Sequence, residues 1–589
     1  MPPPPPSPDA APAHPLAPPP APAPAHRPRP YHFLLLMVAA AALYLAGNGR
    51  VTLWDRDEAW YAQTSRQMLA SGDLVVPRFL DKIRTAKPVF IYWCQVASMK
   101  ALGVNAFAAR LPSALAMTVS LILLSLVLIR FAGTAQAFWT VFIFATSGMV
   151  IASAKMCLTD SVQLVFILVA QLCLFWIYFN FWASPPTGEG KSPYRSHWPV
   201  ALTMWIAMGL AFLTKGPVVL GMLIPLMLVL ALLDAGWPWN WAAWKRALSW
   251  WPRTQPLAGI FIIAAIFGPW LVAMQQRDPA YLRTTFFHDI VDRMSTGLES
   301  HKGPPGYYLL TIWGTYFPWC IFLPLALVTA WKHRIQPPIR YALAAIIGPW
   351  IFMEFVQTKL PHYILPVYAS LAFLTAYALL RCLRGQCLDL ARTGFHIALV
   401  VWALFVVVLA CVPWVAHHYF AAESSTSAAT AFTVVGVCYA LIVPMLFFRG
   451  RTVAGILAMG GGMMAAIAVL YGIYLPRAEF IRLSPRVAAV LAQQRVDQSR
   501  IGSVKMLGYK EPSLPFYQGG TIREKDNGWL ERTPLADWPE AMVITSDIYE
   551  KLPPELRSHL RQRGPTLRGF NYAGGGKIVQ VMVMGKSSE

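Results

Sequence analysis

Charge is what this chain has least of. Only 13% of its 589 residues are Asp, Glu, Lys or Arg, against about 25% in a soluble domain. With 56% hydrophobic residues and a mean hydropathy of +0.47, a water-soluble globular protein is excluded, and the length divides more naturally into membrane spans of about 20 residues each. Acids are scarcer than bases, 28 against 49, for a net charge of +21. The bases interrupt apolar segments and form no stripe on a polar domain, which argues against nucleic acid as a partner. The eight cysteines form no C-x-x-C pair and mostly lie within apolar runs. They read as small buried hydrophobes, without a disulfide framework or a zinc site.

What the chain does have begins with proline. Residues 1–30 hold 15 prolines, and such a stretch buries too little apolar area to offset its ordering entropy, so it reads as a disordered tail. From Tyr31 onward, apolar segments fall at about 31–48, 110–130, 134–153, 161–180, 200–214, 216–234, 256–276, 308–330, 338–357, 362–380, 395–416, 429–448 and 453–474. In hydrocarbon every backbone polar group must be paired within its segment, so these are expected to be helices. Thirteen spans result.

With a cytoplasmic N-terminus, Arg130, Lys191, Arg195, Lys245, Arg246, Arg253, Lys332, Arg334, Arg381, Arg384, Arg392, Arg449 and Arg451 fall on inside loops. The short outside connections carry one base each or none, the asymmetry of the positive-inside rule. An odd span count places the C-terminus outside. Three outside segments are long: 49–109, read as amphipathic helices near 58–70 and 88–102; 277–307; and a tail, 476–589, read as a small periplasmic α/β domain.

Acids then gather on that same outer face. Asp55, Asp57 and Glu58 follow the first span, Asp160 opens the fourth, and Asp278, Asp289, Asp292 and Glu299 lie in the second long loop. A charge beside hydrocarbon is expensive and usually marks a site. Each acid alone also has a plain reading as a helix cap or first-turn acid. Two acids at separate span mouths favour a shared outer cleft. Lys87, Lys215, Arg293, His301, Lys302, Lys359 and His362 share the face. Lys215 and Lys359 run against the orientation trend, so together these cations suggest an anionic ligand such as phosphate. Carboxylates beside cations at a lipid-facing cleft suit transfer of a sugar from a lipid phosphate. The cations stabilise the departing phosphate, and Asp activates or positions the acceptor.

The stretches RDEAWYAQTSRQMLASGDLVVPRF, AKPVFIYW and VNAFAARLPSAL resemble the first outer loop of the bacterial aminoarabinose lipid A transferase-like (ArnT-like) glycosyltransferases, relatives of the protein O-mannosyltransferases. LTKGPVV, HKGPPGYYL, FPW, TKLPHYILPVYASLAFL and GYKEPSLPFYQGG resemble further pieces of that family, so the likeness runs from about residue 31 to at least 520. It implies a GT-C type membrane glycosyltransferase of the bacterial inner membrane. Its donor would be an undecaprenyl-phosphate-linked sugar such as 4-amino-4-deoxy-L-arabinose, and its acceptor lipid A or a similar envelope lipid. By matching motif, Asp57 stands at the catalytic acid with Glu58 and Tyr61 beside it, Lys87 at the lipid-phosphate lysine and Asp160 at the second acid. Lys215, Arg293, Lys302, Tyr307, Lys359 and His362 fall in donor-cavity segments. Where relatives commonly show E-K-P-P, this chain has AKPV.

Two rivals stand beside this reading. One is a protein O-mannosyltransferase-like enzyme; the other, of a different class, is a lipid-linked sugar transporter or flippase. The latter should show internal repeats and charges near the bilayer midplane, whereas the charges here gather at one surface. No cofactor is implied, and no H-x-x-H-type metal pair occurs. A divalent metal stays open, since His301, His362, Asp57 and Asp160 can meet in space.

Overall fold

The computed structural model describes residues 28–53, 56–183, 197–236, 240–283, 303–386, 393–494, 500–573 and 575–587. The proline-rich head up to residue 27 lies outside them, as does most of the second long loop. The rest is a polytopic helical membrane protein with a small mixed-sheet domain at its C-terminal end.

Helix α1 (Pro30–Leu45) leads into the segment 49–109, where α2 (Arg56–Ser71) and α3 (Phe90–Leu102) fall close to the two expected amphipathic helices. Asp57 and Glu58 occupy the first turn of α2, where acids offset the positive end of the helix dipole. Between α2 and α3, β1 (Arg78–Phe79) and β2 (Lys82–Ile83) form a short antiparallel ladder. Its turn residue Leu80, at a φ of 54°, is clamped at both backbone groups by Gln67, whose Oε1 accepts from the Leu80 N–H at 2.7 Å and whose Nε2 donates to the Leu80 carbonyl at 3.0 Å.

The bundle continues through α4 (Ala106–Ala132), whose cap Asn105 accepts from the Ala108 N–H at 2.8 Å, then α5 (Thr134–Ala145), α6 (Gly148–Lys155) and α7 (Thr159–Ala183). Next come α8 (Trp198–Lys215), α9 (Leu220–Ala235), α10 (Trp241–Leu248) and α11 (Pro256–Arg277). After the second long loop follow α12 (Tyr307–Thr315), α13 (Leu323–Lys332), α14 (Pro337–Phe355), α15 (Tyr368–Leu383), α16 (Thr393–Tyr419), α17 (Thr426–Phe448) and α18 (Thr452–Val469).

Among the described residues, eight helical segments are long and apolar enough to cross a membrane, or up to ten if each of two bent pairs is one span. The bent pairs are α5 with α6, at 61°, and α12 with α13, at 119°. That count is lower than the thirteen expected from the sequence. The difference lies in α1, which is only 16 residues long, in α14, and in Trp198–Ala235, which counts once where two segments were expected. All thirteen apolar segments are nonetheless helical.

Close approach within the bundle depends on small residues. A Cβ on Gly348 of α14 would stand 2.4 Å from the Pro225 backbone of α9, and without it the two helices pack backbone to backbone.

The C-terminal domain opens with α19 (Leu483–Gln493) and contains β3 (Val504–Leu507), β4 (Arg523–Lys525), β5 (Ala541–Thr545), β6 (Leu560–Gln562), β7 (Leu567–Asn571) and β8 (Lys577–Lys586). The sheet order is β4-β3-β5-β8-β6, with β7 also on β8, and only the β3 pairings are parallel. Val543, Val581 and Val583 pack with α19 on one face, and Met542, Ile544, Met582 and Met584 pack on the other. This is the alternation of a sheet buried on both sides. The domain is fastened to the segment 49–109. Arg523 Nε lies 2.7 Å from Asp81 Oδ1, Arg66 donates to the Phe516 carbonyl at 2.5 Å, and the Tyr517 hydroxyl accepts from the Leu53 N–H at 2.8 Å.

Candidate active site

Two cavities adjoin at the mouths of α7 and α8. The smaller, about 40 Å³, is polar: Asp57, Trp60, Tyr61, Arg84, Asp160 and His362 line it together with Lys87 and Lys215. The larger, about 460 Å³, has a wall of Ile167, Val218, Leu220, Ile224, Phe267 and Phe352. Lys87, Asp160, Lys215 and Tyr363 belong to both linings, so the charged groups stand where the polar cavity meets the apolar one.

Each charge is delivered by a local device. Asp160 sits in the first turn of α7. Lys215 is the last residue of α8, and Gly216 behind it turns the chain away at a φ of 74°, a backbone conformation that glycine adopts at little cost. Lys215 Nζ therefore reaches Asp160 Oδ1 at 2.5 Å, with both side chains about nine-tenths buried. The same ammonium stands 4.4 Å from the centre of the Tyr363 ring. Thr159 Oγ1 donates to Asp160 Oδ2 at 3.2 Å, and His362 Nε2 lies 3.7 Å from that oxygen.

On the loop after the β1–β2 turn, the Arg84 guanidinium lies over two α2 rings, 4.7 Å from Trp60 and 5.2 Å from Tyr61, and donates to the Tyr92 hydroxyl at 3.2 Å. Burial works against its charge, but Tyr92, Tyr61 and Asp57 more than offset that and hold its pKa above the usual value. Burial, with the nearby Asp57 carboxylate second, pushes the Tyr61 phenol well above its ordinary pKa, so it stays a neutral donor.

The cavity thus gathers six of the residues expected from the sequence: Asp57, Tyr61, Lys87, Asp160, Lys215 and His362. Three others stand outside its lining. Glu58, expected beside the catalytic acid, is turned away and fully buried. Its carboxylate takes two hydrogen bonds from Arg110, at 2.8 and 2.7 Å, and one from the Cys157 N–H at 2.9 Å. Arg110 also donates to the carbonyls of Asn48, Val51 and Thr52. Lys359 lies 3.4 Å from Glu354 Oε2 and donates to the Glu354 carbonyl at 2.6 Å. Glu354 in turn accepts from the Gly306 and Tyr308 N–H groups around the start of α12, where Tyr307 sits. Arg293 and Lys302 lie outside the described residues.

Arg84, Trp60, Thr159 and Gln163 were not singled out in the sequence. Gln163 lines the apolar cavity one turn along α7 from Asp160, and its side-chain nitrogen is buried without a hydrogen-bond partner among the described residues. Arg84 had a usable signal, being a base three residues before Lys87. Among the described residues, no group of three or more His, Cys, Asp or Glu side chains is placed to hold a metal ion.

The family model for dolichyl-phosphate-mannose-protein mannosyltransferases matches residues 31–282. The undecaprenyl phosphate-α-4-amino-4-deoxy-L-arabinose arabinosyl transferase of Edwardsiella ictaluri (strain 93-146) is 30% identical over 76% of this chain and 77% of its own length. The chain belongs to this family of membrane glycosyltransferases. A second arabinosyl transferase of the family, from Erwinia tasmaniensis, is 29% identical, and this chain spans 64% of its length, just under two thirds. The crystal structure of ArnT from Cupriavidus metallidurans bound to undecaprenyl phosphate matches with a TM-score of 0.74, over 95% of this chain and 99% of that one, at 20% identity. The fold of the family is therefore present almost end to end.

Proposed function

We propose that the chain moves 4-amino-4-deoxy-L-arabinose from undecaprenyl phosphate to lipid A or a similar envelope lipid, at the periplasmic face of the bacterial inner membrane. The observation that carries this reading is the junction of the two cavities. Lys87 and Lys215 stand where a phosphate would sit with its prenyl chain against the apolar wall and its sugar in the polar cavity.

In that arrangement an acceptor oxygen attacks the anomeric carbon, and the bond from that carbon to the lipid phosphate breaks with its electron pair on the phosphate. Lys87 and Lys215 stabilise the charge that develops there by fixed charge, which is strongest where water is excluded. Asp160 holds Lys215 in place. Asp57 faces the acceptor: it serves as general base for a hydroxyl, and as an electrostatic and positioning group for a phosphate that is already ionised. Glu58 and Lys359 we assign to structure, the first tying α2 to α4 through Arg110 and the second bracing the start of α12.

The same reading takes 31–475 as the transferase domain and 476–589 as a periplasmic domain, with the N-terminus cytoplasmic and thirteen crossings. The hairpin formed by α8 and α9 supports the count. Lys215 meets Asp160 at one end of α7, and the Tyr178 hydroxyl donates to Asp234 at the other. The chain from 215 to 234 therefore returns along α7 over 18 residues of that helix, about 27 Å at 1.5 Å per residue, close to the thickness of the hydrocarbon core.

Mass spectrometry of envelope lipids from cells with and without the protein tests the function. Loss of aminoarabinose-bearing lipid A on deletion is expected. Unchanged lipid A, with a glycan lost from protein, would place the chain with the O-mannosyltransferase-like enzymes.

A further inference from the structure

A second cavity system lies at the opposite end of the bundle. Phe175, on its wall, is 15 residues along α7 from Asp160, about 22 Å away at 1.5 Å per residue. Here the turn between α4 and α5, the start of α14 and the end of α15 enclose a space of about 920 Å³. Its polar lining comes from Arg381, Arg384, Tyr377, Gln336, Gln136 and Thr134, and no acidic residue is among the described residues that line it. Arg381 packs with its guanidinium carbon 5.8 Å from the centre of the Tyr377 ring, and its Nε is buried without a hydrogen-bond partner among the described residues. A narrow slot of about 60 Å³ adjoins this space, walled by Leu124, Leu128, Leu168, Leu172 and Phe175. The two share Phe131, Ala132, Pro338 and Phe373.

We propose that this mouth and slot bind one anionic phospholipid, its phosphate on Arg381 and Arg384 and the first carbons of an acyl chain in the slot. Two considerations select that occupant. The described lining of the mouth carries cationic side chains and no acid, so it favours an anion, and guanidinium matches phosphate through paired N–H donors. The slot continues from the mouth with a mostly apolar wall, broken by Gln171, Tyr341 and Ser370, so an anion that fills both carries hydrocarbon. Basic pockets between membrane helices recognise acidic lipid headgroups on the same physical grounds. Orientation alone accounts for arginines at a helix end. It accounts neither for a buried donor left without a partner nor for an apolar slot opening behind it. The site shares no residue with the cavity of Asp57 and Asp160, so its test is separate from that of the transfer reaction.

The test uses the purified full-length protein, equilibrated with vesicles of phosphatidylglycerol or of phosphatidylcholine and then analysed by native mass spectrometry for retained lipid. The wild-type chain is expected to retain phosphatidylglycerol in preference to phosphatidylcholine. The double variant Arg381→Gln, Arg384→Gln is expected to retain phosphatidylglycerol about thirtyfold more weakly. Arg384 is exposed, so Arg384→Gln alone leaves the fold intact and should cost about fivefold. Arg449, an exposed base at the end of α17 that lines neither cavity, serves as control, and Arg449→Gln should retain the lipid like the wild type. Equal retention of the two lipids by the wild type would overturn the proposal. So would undiminished retention in Arg384→Gln, or an equal loss in Arg449→Gln.

Discussion

Lys215 and Asp160 meet at 2.5 Å across the mouths of α8 and α7, and both side chains are about nine-tenths buried. Neither charge is tolerable alone at that depth, because removing one partner of a buried pair leaves the other uncompensated. Lys215→Ala is therefore expected to destabilise the protein by roughly 3 kcal/mol, and to abolish transfer as well. The double variant Asp160→Asn, Lys215→Met should recover most of the thermal stability without recovering activity. A double variant that regains both would show that the pair serves packing alone.

Lys87 separates donor from acceptor. It lines both cavities, so Lys87→Ala should raise the apparent KM for the polyprenyl-phosphate donor about tenfold or more. The KM for the acceptor should move far less. Titration of each substrate at saturating levels of the other makes the comparison, and an unchanged donor KM would remove Lys87 from the phosphate site.

Glu58 gives the opposite signature. Its carboxylate is fully buried against Arg110, which also ties down three carbonyls of the segment before α2. Glu58→Gln should lower thermal stability by about 3 kcal/mol or more. The fraction of protein that remains folded should keep its kcat. A folded Glu58→Gln protein with no turnover would return Glu58 to the chemistry.

Much of this was legible in the sequence, and the reasons differ by element. The apolar segments announced their helices because hydrocarbon leaves the backbone no other way to pair. The strands Val504–Leu507, Ala541–Thr545 and Lys577–Lys586 lie in the runs IGSVKML, AMVIT and KIVQVMVMG, rich enough in valine, isoleucine and methionine to mark the tail as α/β. The three-residue strands Arg523–Lys525 and Leu560–Gln562 carry too few residues for a pattern. Asp57, Lys87, Asp160, Lys215 and His362 could be grouped because each interrupts or borders apolar sequence on one face. What the sequence does not contain is side-chain direction. Glu58 follows Asp57 directly, yet successive helix residues point about 100° apart, so one lines the cavity and the other meets Arg110, 52 positions later. Lys359 looked like a site lysine for the same reason, although Glu354, five positions earlier, takes it up.

Single-turnover transfer from preloaded donor, in the wild type and in Asp57→Asn, tests the central claim most directly. The Asp57 carboxylate lines the cavity at which sugar and phosphate are to part. The substitution should leave donor affinity within about threefold while slowing transfer about 10²- to 10³-fold. A rate within a few-fold of wild type, with the donor bound, would contradict the assignment of this cavity as the place of reaction.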